Sequence, residues 1–329
     1  MANSEIFAND SSIRSFRRLL LGWYRIEKRD LPWRNTRDPY RIWVSEIMLQ
    51  QTRVAAVLEH YRKFLKRFSS VRKLAAASEA EVLAAWSGLG YYRRARMLHQ
   101  ASRIVTRDYR AHLPQTADQL RQLPGIGRYT ANAIASIGFS EPVAVVDGNV
   151  ERVLSRISEM DLGGEALWTS AQTLLDRKHP GDFNQAMMEL GAVVCVPGVP
   201  DCVRCPVKPH CASRGASTAQ PKASERRLSR SASFVVGLKN GRIRLRQRGT
   251  KQSLMAGMWE LPESSHPVPS EPILRLKHSI TNTDWTIQVF RNTAVPLRSG
   301  WKWISLNDVQ HLPLTGLTRK ILRKLDLLQ

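Results

Sequence analysis

The four cysteines of the chain lie close together and could bind a metal centre. Cys195, Cys202, Cys205 and Cys211 follow the pattern Cys-x6-Cys-x2-Cys-x5-Cys. Secreted proteins spread their cysteines to close long loops, whereas neighbouring thiolates suit a soft metal ion or an iron–sulfur cluster. The spacing therefore predicts a reducing compartment and a metal site. Structural zinc is the alternative, although zinc sites usually pair two short Cys-x2-4-Cys motifs and this segment has one.

Two carboxylates stand in contexts that suit acid–base chemistry. Glu46 lies in the segment Tyr40 to Thr52, where large apolar residues crowd both sides. Burial raises the pKa of a carboxyl group, so Glu46 could keep a proton near neutral pH and act as a general acid. Asp147 is placed as the N-cap of a helix predicted from Val150, where an anion is favoured and could stabilise a developing cation. An exposed glutamate and a plain capping aspartate are the simpler alternatives.

Two glycine-containing turns have the composition of DNA contacts. The sequence LPGIGR contains Gly125 and Gly127. Its backbone N–H groups would open the following helix and could bind a phosphate. The sequence GLGYYRRAR joins a flexible turn to the apolar Leu89, the aromatic Tyr91 and several arginines, which suits the distortion of a duplex. An ordinary helix connection and a solvated basic face are the alternatives.

The charge of the chain narrows its class of partner. Lysine and arginine number 50 against 28 acidic residues, so the formal net charge is +22. Such an excess favours a polyanion, and nucleic acid is the first candidate. The sequence contains no signal-peptide core and no run of about 18 apolar residues. We therefore expect a protein of the cytoplasm, associated with the nucleoid through DNA and not with a membrane.

Apolar residues from Ile13 to about Ala192 recur mainly at spacings of three and four, which predicts helices. Ser78 and Thr116 each begin a sequence of capping-box form ahead of such a stretch. Residues 216–231 are small, polar and basic, and we expect a linker between domains there.

Beyond residue 231 the apolar period changes to two. Phe234, Val236 and Leu238 alternate with other residues, and Asn240-Gly241 has the composition of a hairpin turn. A basic helix is predicted to end the chain. The C-terminal hundred residues should therefore form a separate α+β domain.

The ordered motifs LPWR, SEIMLQQT, GLGYYRRAR, LPGIGRYTA, VDGNV, FNQAMMELG and the cysteine loop resemble the MutY family of adenine DNA glycosylases. The resemblance spans about Leu20 to Cys211. It implies a multi-domain protein with an all-α helix-hairpin-helix glycosylase core. A cluster domain would cover residues 9–31 and 141–215, with a [4Fe–4S] cluster on the four cysteines, and a six-helix domain would cover 32–140. The enzyme, expected as a monomer, would flip adenine mispaired with 8-oxoguanine or guanine out of double-stranded DNA and excise it.

The resemblance also assigns roles to residues. Glu46 would protonate adenine at N7 and activate water, and Asp147 would stabilise the cationic sugar, with Tyr129 and Asn149 in the same catalytic group. Trp33, Arg34 and Glu189 would hold adenine in its pocket. Contacts to DNA and the opposite base would come from Gln51, Thr52, Leu89, Tyr91, Gly125 and Gly127.

Residue 129 separates this chain from the endonuclease III-like enzymes. Those enzymes share the hairpin and the cluster, but they place at this position a lysine that forms a Schiff base with the sugar and cuts the strand. Here the residue is Tyr129. The chain is therefore predicted to be a monofunctional glycosylase that leaves an abasic site.

Residues 232–329 resemble the Nudix-like lobe of the same family, most clearly in LRQRGTKQSLMAGMWELP. The glutamate-rich magnesium helix of Nudix enzymes is missing, so we expect a reader of 8-oxoguanine and not a pyrophosphatase. The family reads this base with a Phe-Ser-His turn, which aligns here with Ile280-Thr281-Asn282. The aromatic packing is lost, but Thr281 and Asn282 could still contact the modified guanine.

Two other functions compete with adenine excision. One is an endonuclease III-like glycosylase and lyase for oxidised pyrimidines, which Tyr129 and the C-terminal lobe disfavour. The other is a DNA-binding helix-hairpin-helix protein without catalysis, which would not need Glu46 and Asp147 together.

Overall fold

The computed structural model describes residues 9–160, 163–213, 227–249, 252, 255–264, 268, 270–280, 282–291 and 300–328. Internal contacts divide the chain into two compact units. The first unit is Met1–Val54 with Ala101–Ala223, and the second unit is Ala55–Gln100 with Ser224–Gln329. Residues 55–100 thus belong to the same unit as the C-terminal region. The domain boundaries expected from the sequence stay a prediction. In the described residues, no helix is long and apolar enough to span a membrane.

The chain is helical as far as the cysteine loop, as the apolar spacing predicts. The helices of this part are α1 (Asp10–Glu27), α2 (Pro39–Leu49), α3 (Val54–Arg67), α4 (Val71–Ala76), α5 (Glu79–Trp86), α6 (Arg93–Asp108), α7 (Ala117–Leu120), α8 (Arg128–Phe139), α9 (Gly148–Ser158), α10 (Gly164–Leu174) and α11 (Pro180–Val193). The C-terminal region adds α12 (Leu306–Val309) and α13 (Gly316–Lys324). Short 3-10 helices cover Pro32–Arg34 and Lys208–His210.

Local caps explain where several of these helices begin. Asp38 is the N-cap of α2, and its side chain accepts a hydrogen bond from the N–H of Tyr40. Pro39 follows at the first helical position, which proline favours because its missing N–H would have no partner there. Ser78 and Glu81 form the predicted capping box of α5 in full. Thr116 caps α7 through the N–H of Gln119.

The core of the first unit lies among α1, α9, α10 and α11. Phe16 and Leu20 of α1 pack there with Leu154 of α9 and with Phe183 and Leu190 of α11, all of them buried. Removing this apolar surface from water stabilises the arrangement. The core therefore fixes the positions of α9 and α11. Asp147 is at the N-terminal end of α9, and Glu189 lies within α11.

The C-terminal region is rich in β-strands, which confirms the change of period. The strands are β1 (Leu228–Val236), β2 (Leu238–Lys239), β3 (Arg242–Gln247), β4 (Trp259–Glu260), β5 (Glu263–Ser264), β6 (Leu274–Ile280), β7 (Thr283–Arg291) and β8 (Trp301–Ser305). One sheet has the order β5-β1-β7-β6, in which only β1 and β7 are parallel among the described strands. In the other sheet β3 pairs with β2, β4 and β8.

The hairpin turn between β2 and β3 is where the sequence places it, since Asn240 and Gly241 both have positive φ, of 49° and 69°. The linker differs from its prediction. Residues 214–226 lie outside the described residues, and residues 228–231 belong to β1 instead of a linker. These residues are exposed and lack alternation, so their strand conformation comes from parallel pairing with residues 283–286 of β7.

Candidate active site

A cavity of about 560 Å³ opens in the first unit between α2, α8 and α11. Its volume is in the range of about 300–1,000 Å³ typical of small-molecule pockets. Most of the residues predicted to act on adenine line it, namely Trp33, Arg34, Glu46, Tyr129, Asp147 and Asn149, and Gln51 and Thr52, predicted to contact the strand around the opposite base, line it too. The structure thus brings together residues that are up to 116 positions apart in the chain, from Trp33 to Asn149.

Glu46 is a buried carboxyl group in this cavity. Its residue is 6 % exposed, within the apolar helix α2. Burial, opposed in part by a hydrogen bond from Tyr129, raises the pKa of Glu46 to about 7. The negative charge of Asp147 acts in the same direction as burial. Glu46 therefore carries a proton in a large fraction of molecules at neutral pH.

Tyr129 is the hydrogen-bond partner of Glu46. Its hydroxyl donates to Oε2 of Glu46 at 2.8 Å and lies 3.4 Å from Sδ of Met188. Tyr129 stands in the first turn of α8, directly after the hairpin. Burial and the neighbouring Glu46 raise the pKa of Tyr129 well above its ordinary value, so the phenol stays protonated and acts as a donor.

Asp147 is the predicted N-cap of α9. Its Oδ1 accepts from the backbone N–H groups of Asn149 at 3.0 Å and Val150 at 2.8 Å. Its Oδ2 accepts from the side-chain amide of Asn149 at 2.9 Å. Three donors and the N-terminus of a helix thus hold one carboxylate in a fixed position at the cavity wall.

Glu189 lies behind the cavity and is fully buried. Its two oxygens accept from the backbone N–H, Nε and Nη2 of Arg29 and from Nη2 of Arg34. Burial raises the pKa of Glu189, but these donors outweigh it and lower the pKa to about 2. The contacts occupy the four lone-pair positions of the carboxylate. In this structure Glu189 therefore orients two arginines, whereas the sequence assigned it to adenine itself.

Arg29 was missed by sequence reasoning. It lines the cavity and forms a bidentate pair with Glu189, with Nη2 at 2.6 Å from Oε2. Its partner is 160 residues away in the chain, and Arg29 stands just before the LPWR motif. A position two residues before a matched motif was the only signal that could have pointed to it.

The Asp147 corner is tied to α11 and to the first cysteine by Arg152. The Arg152 guanidinium donates to Oδ1 of Asn149 at 2.8 Å, to the carbonyl of Gly191 and to the carbonyl of Cys195 at 2.8 Å. Gly191 makes this approach possible, because a Cβ atom there would lie 2.6 Å from Cβ of Asn149. The glycine of the FNQAMMELG motif thus serves close packing of helix and corner.

All four cysteines line one further cavity, next to buried Arg156. Nη1 of Arg156 donates to Sγ of Cys195 at 3.3 Å, while its Nε is buried and finds no acceptor among the described residues. Burial raises the pKa of Cys205 to about 11 when no metal is bound. In the part of the chain that the structure describes, no three His, Cys, Asp or Glu side chains could hold one metal ion. The four thiols and the unpaired donor fit an anionic metal centre in this cavity.

The hairpin before α8 has the expected backbone. Gly125 has a φ of +78° and Gly127 is the N-cap of α8, and both are exposed. The N–H groups of the first turn of α8 are thus near a surface that an anion can reach. Gln51, just after α2, is also exposed and has a φ of 54°, while Thr52 is half-buried.

In the second unit, the turn between α5 and α6 differs in part from its prediction. Leu89 is 6 % exposed and packs inside, so the structure does not present it as a wedge. Tyr91 is 50 % exposed and stands at the surface of the turn. Asn282 is exposed at the tip of the β6–β7 hairpin, and Thr281 lies outside the described residues.

Comparisons with known proteins agree with this architecture. Residues 44–163 match the HhH-GPD superfamily base excision DNA repair protein. The chain is 35 % identical over 408 aligned positions to the adenine DNA glycosylase of Rattus norvegicus, covering 97 % of this chain and 79 % of the relative. It is 48 % identical over 221 positions to that of Mus musculus, covering 63 % of this chain and 43 % of the relative. The match thus spans less than half the length of the mouse relative.

A solved structure is similar to the helical part. It is that of a thermostable thymine-DNA glycosylase, 31 % identical with a TM-score of 0.59, and the match covers 63 % of this chain and 98 % of that one. Fold, sequence and site define a helix-hairpin-helix glycosylase of base excision repair. Within that class, the chain belongs to the adenine DNA glycosylase family.

Proposed function

We propose that the protein excises adenine mispaired with 8-oxoguanine or guanine in double-stranded DNA and leaves an abasic site. The observation that carries this proposal is the pairing of two unlike carboxyl groups in one cavity. Glu46 is buried with its pKa raised to about 7. Asp147 is held by three N–H donors. Glycoside hydrolysis uses such a pair, one group as acid and the other as anion.

Glu46 acts first as the acid. The glycosidic bond to adenine breaks more easily when the ring is protonated, because a neutral base leaves instead of an anion. Glu46 gives its proton to N7, and the resulting carboxylate then accepts a proton from the water that attacks the sugar. Tyr129 orients the Glu46 carboxyl through its 2.8 Å hydrogen bond.

Asp147 stabilises the oxocarbenium-like sugar. As adenine leaves, positive charge develops on the sugar, and a fixed anion at the cavity wall lowers the energy of that state. The backbone of α9 and the amide of Asn149 keep the carboxylate in place before the reaction begins. A transient covalent bond to the sugar carbon is the other way in which Asp147 could act.

Adenine is held beside Trp33 and Arg34. Trp33 is buried at the cavity wall and offers an apolar face. Arg34, and with it Arg29, is held by Glu189, so the guanidinium groups meet the base in a fixed orientation. Glu189 contributes through these arginines.

Tyr129 also limits the reaction to base release. A lyase needs an amine that forms a Schiff base with the sugar, and a tyrosine phenol cannot form one. The enzyme is therefore monofunctional.

Cys195, Cys202, Cys205 and Cys211 would hold a [4Fe–4S] cluster through their thiolates. The unpaired Nε of Arg156 supports this proposal, since a buried cationic donor needs an acceptor in the cysteine cavity. When bound, the cluster supplies a rigid centre that shapes residues 195–211. Exposed Lys208 and Arg204 on that loop would then face DNA phosphates.

Contacts to DNA are proposed on each of the two units. The hairpin at Gly125 and Gly127 binds a phosphate through backbone N–H groups, and Gln51, Thr52 and Tyr91 contact the strand around the opposite base. The C-terminal sheets form a Nudix-like lobe that reads 8-oxoguanine with Thr281 and Asn282. The exposed position of Asn282 at a hairpin tip supports its part in this reading.

A second candidate is excision of thymine. The solved relative of the helical part is a thymine-DNA glycosylase, and that chain matches only 63 % of this one. Since the match to an adenine DNA glycosylase covers 97 % of this chain, adenine is the first choice.

Incubation with four duplexes tests the proposal and its alternatives. They carry adenine opposite 8-oxoguanine, adenine opposite guanine, thymine opposite guanine, and thymine glycol opposite adenine, and strand breaks are resolved before and after hot alkali. Breaks only after alkali, and only in the adenine duplexes, are expected. Breaks without alkali or in the thymine glycol duplex would establish the endonuclease III-like function, and breaks in the thymine–guanine duplex would establish the second candidate.

A further inference from the structure

The turn that carries Tyr91 has an unusual backbone. Gly88, Gly90 and Tyr91 have φ angles of +109°, +72° and +47°. The last is a left-handed conformation that non-glycine residues adopt at a cost, and such conformations persist where surrounding contacts hold them. Tyr91 is half-exposed. The contacts that hold this turn therefore decide where an exposed aromatic ring is presented.

The tip of the turn is held from within its own helices. Nε1 of Trp86 donates to the carbonyl of Gly90 at 3.2 Å. Nη2 of Arg94 donates to the carbonyls of Gly90 at 3.2 Å and Leu89 at 3.4 Å. The Arg94 guanidinium also lies over the rings of Trp86 and Tyr91, at 5.5 and 5.4 Å from their centroids. These contacts join the tip to Trp86 and Arg94, the residues on either side of the turn.

The base of the turn is held by the C-terminal region. The hydroxyl of Ser87 donates to the carbonyl of Leu314 at 2.7 Å, and the hydroxyl of Tyr92 donates to the same carbonyl at 3.3 Å. Nε of Arg319 donates to Oγ of Ser87 at 2.9 Å. Ser87, Tyr92 and Leu314 are all buried. Both ends of the turn therefore share one acceptor, and Oγ of Ser87 also accepts from Arg319 of α13.

Leu314 and Arg319 are themselves fixed to the second sheet. The N–H of Trp259 in β4 donates to the carbonyl of Pro313 at 2.8 Å, and the N–H of Thr315 donates to the carbonyl of Trp259 at 2.9 Å. The N–H of Arg319 donates to the carbonyl of Thr315 at 2.9 Å. A continuous set of hydrogen bonds thus runs from β4 through α13 to Ser87.

Gly88 shows how closely Arg319 follows the turn. A Cβ atom at Gly88 would lie 3.1 Å from Nε2 of His60 and 3.9 Å from Cδ of Arg319. Cδ of Arg319 therefore lies close to the backbone of the turn, next to the Nε that bonds Ser87. Its pKa is lowered by burial and by Arg323, as expected for a guanidinium that serves a structural contact away from water.

We propose that Arg319 is a positioning residue for duplex opening, acting on Tyr91 through Ser87. The C-terminal region then sets the geometry of this turn, in addition to reading the opposite base. The inference rests on the proposed function for its biological meaning. It concerns the opening of the helix around the mispair and assigns no role to Arg319 in the bond-breaking step.

Two variants of Arg319 separate its hydrogen bond from its charge. Arg319→Gln keeps an N–H donor at the same distance along the side chain as Nε, whereas Arg319→Met has similar length and no donor. Arg323→Ala is the control, since it removes an exposed cation from the same helix. Opening is read from 2-aminopurine placed beside the opposite base, in a duplex whose mispaired adenosine carries a 2′-fluorine and is not cut.

We expect Arg319→Met to reduce the fluorescence rise, and the single-turnover rate on a cleavable duplex, by about fivefold, the usual worth of one hydrogen bond. Arg319→Gln and Arg323→Ala should stay within about twofold of the parent protein. Excision of adenine from an unpaired bulge, which needs little opening, should be unchanged in all three. Equal losses in the Met and Gln variants, or no loss in either, would overturn the proposal.

Ser87→Ala tests the same contact from the other side. If Arg319 acts through Ser87, the double variant Ser87→Ala with Arg319→Met should lose no more than the worse single variant. Additive losses would contradict the proposal, and thermal unfolding of each variant shows whether it folds. A parent protein that opens the duplex in an Arg319-dependent way but releases no adenine would refute the proposed function and leave this inference standing.

Discussion

The hydroxyl of Tyr129 donates a hydrogen bond to Oε2 of Glu46 at 2.8 Å. This bond and burial act in opposite directions on the Glu46 carboxyl. Burial favours its protonated form, and the donated bond favours its charged form. The balance places the pKa at about 7, where one group can both release and accept a proton.

The variant Tyr129→Phe removes that bond and leaves burial in place. The pKa of Glu46 should then rise above about 7. Because the acid form of Glu46 is the one that protonates adenine, the alkaline limb of the excision rate should move to higher pH. A single-turnover pH profile measures this shift. An unchanged limb, or one at lower pH, would contradict the role of Tyr129.

The variant Glu46→Gln should be more stable than the parent protein at pH 8. The folded-state pKa of Glu46 is raised from 4.5 to about 7. Between these two pKa values the folded protein thus binds more protons than the unfolded chain. The ionisable Glu46 side chain therefore lowers the stability of the fold increasingly as the pH rises through this range. The full gain in the free energy of unfolding is on the order of 3 kcal/mol.

Thermal unfolding at pH 5 and pH 8 measures this gain. The midpoint difference between Glu46→Gln and the parent should be small at pH 5 and largest at pH 8. Glu59→Gln, at an exposed ion pair with Lys63, is the control and should show little difference at either pH. Equal midpoints for Glu46→Gln and the parent at pH 8 would mean that Glu46 is not buried as described.

Local signals in the sequence were enough for several of these residues. Asp147 was predicted as a cap because capping needs only the next three residues. Glu46 was predicted to be buried because its helix is apolar on both sides, and Asn240-Gly241 marked a hairpin because both residues tolerate positive φ. Each of these features is determined within a few residues.

Long-range contacts account for what the sequence did not reveal. Arg29 was missed because Glu189 pairs with it across 160 residues. Residues 228–231 were placed in the linker because their strand partners are residues 283–286 of β7. Leu89 was assigned to the surface although it is buried beneath its turn. In these cases the structure depends on partners that no local pattern specifies.

The variant Gly191→Ala should disturb the Asp147 corner. The added Cβ would lie 2.6 Å from Cβ of Asn149 and 2.9 Å from the backbone oxygen of Asn149. These Asn149 atoms cannot be moved away by a change of side-chain rotamer, so the backbone itself would have to shift. We expect a loss of about 1–3 kcal/mol of stability and a slower excision rate. The control is Gly22→Ala in α1, where a Cβ would meet nothing within 4 Å. Chemical denaturation measures both, and equal effects at the two glycines would contradict the packing argument.

Metal content distinguishes the two candidates for the cysteine site. A cluster on Cys195, Cys202, Cys205 and Cys211 predicts about four iron and four sulfide per chain in protein purified without oxygen. Cys205→Ser should lower the iron content and the visible absorbance together. About one zinc per chain, with no iron or sulfide, would establish the structural zinc site instead.

The most direct measurement is the single-turnover rate of adenine release from an adenine–8-oxoguanine duplex by Glu46→Gln. Since the glutamine amide of this variant could accept the Tyr129 bond but could give no proton to the base, the rate should fall by about a hundred- to ten-thousand-fold. DNA binding should be retained, and Glu59→Gln should match the parent protein. A Glu46→Gln rate within about twofold of the parent would show that Glu46 is not the acid.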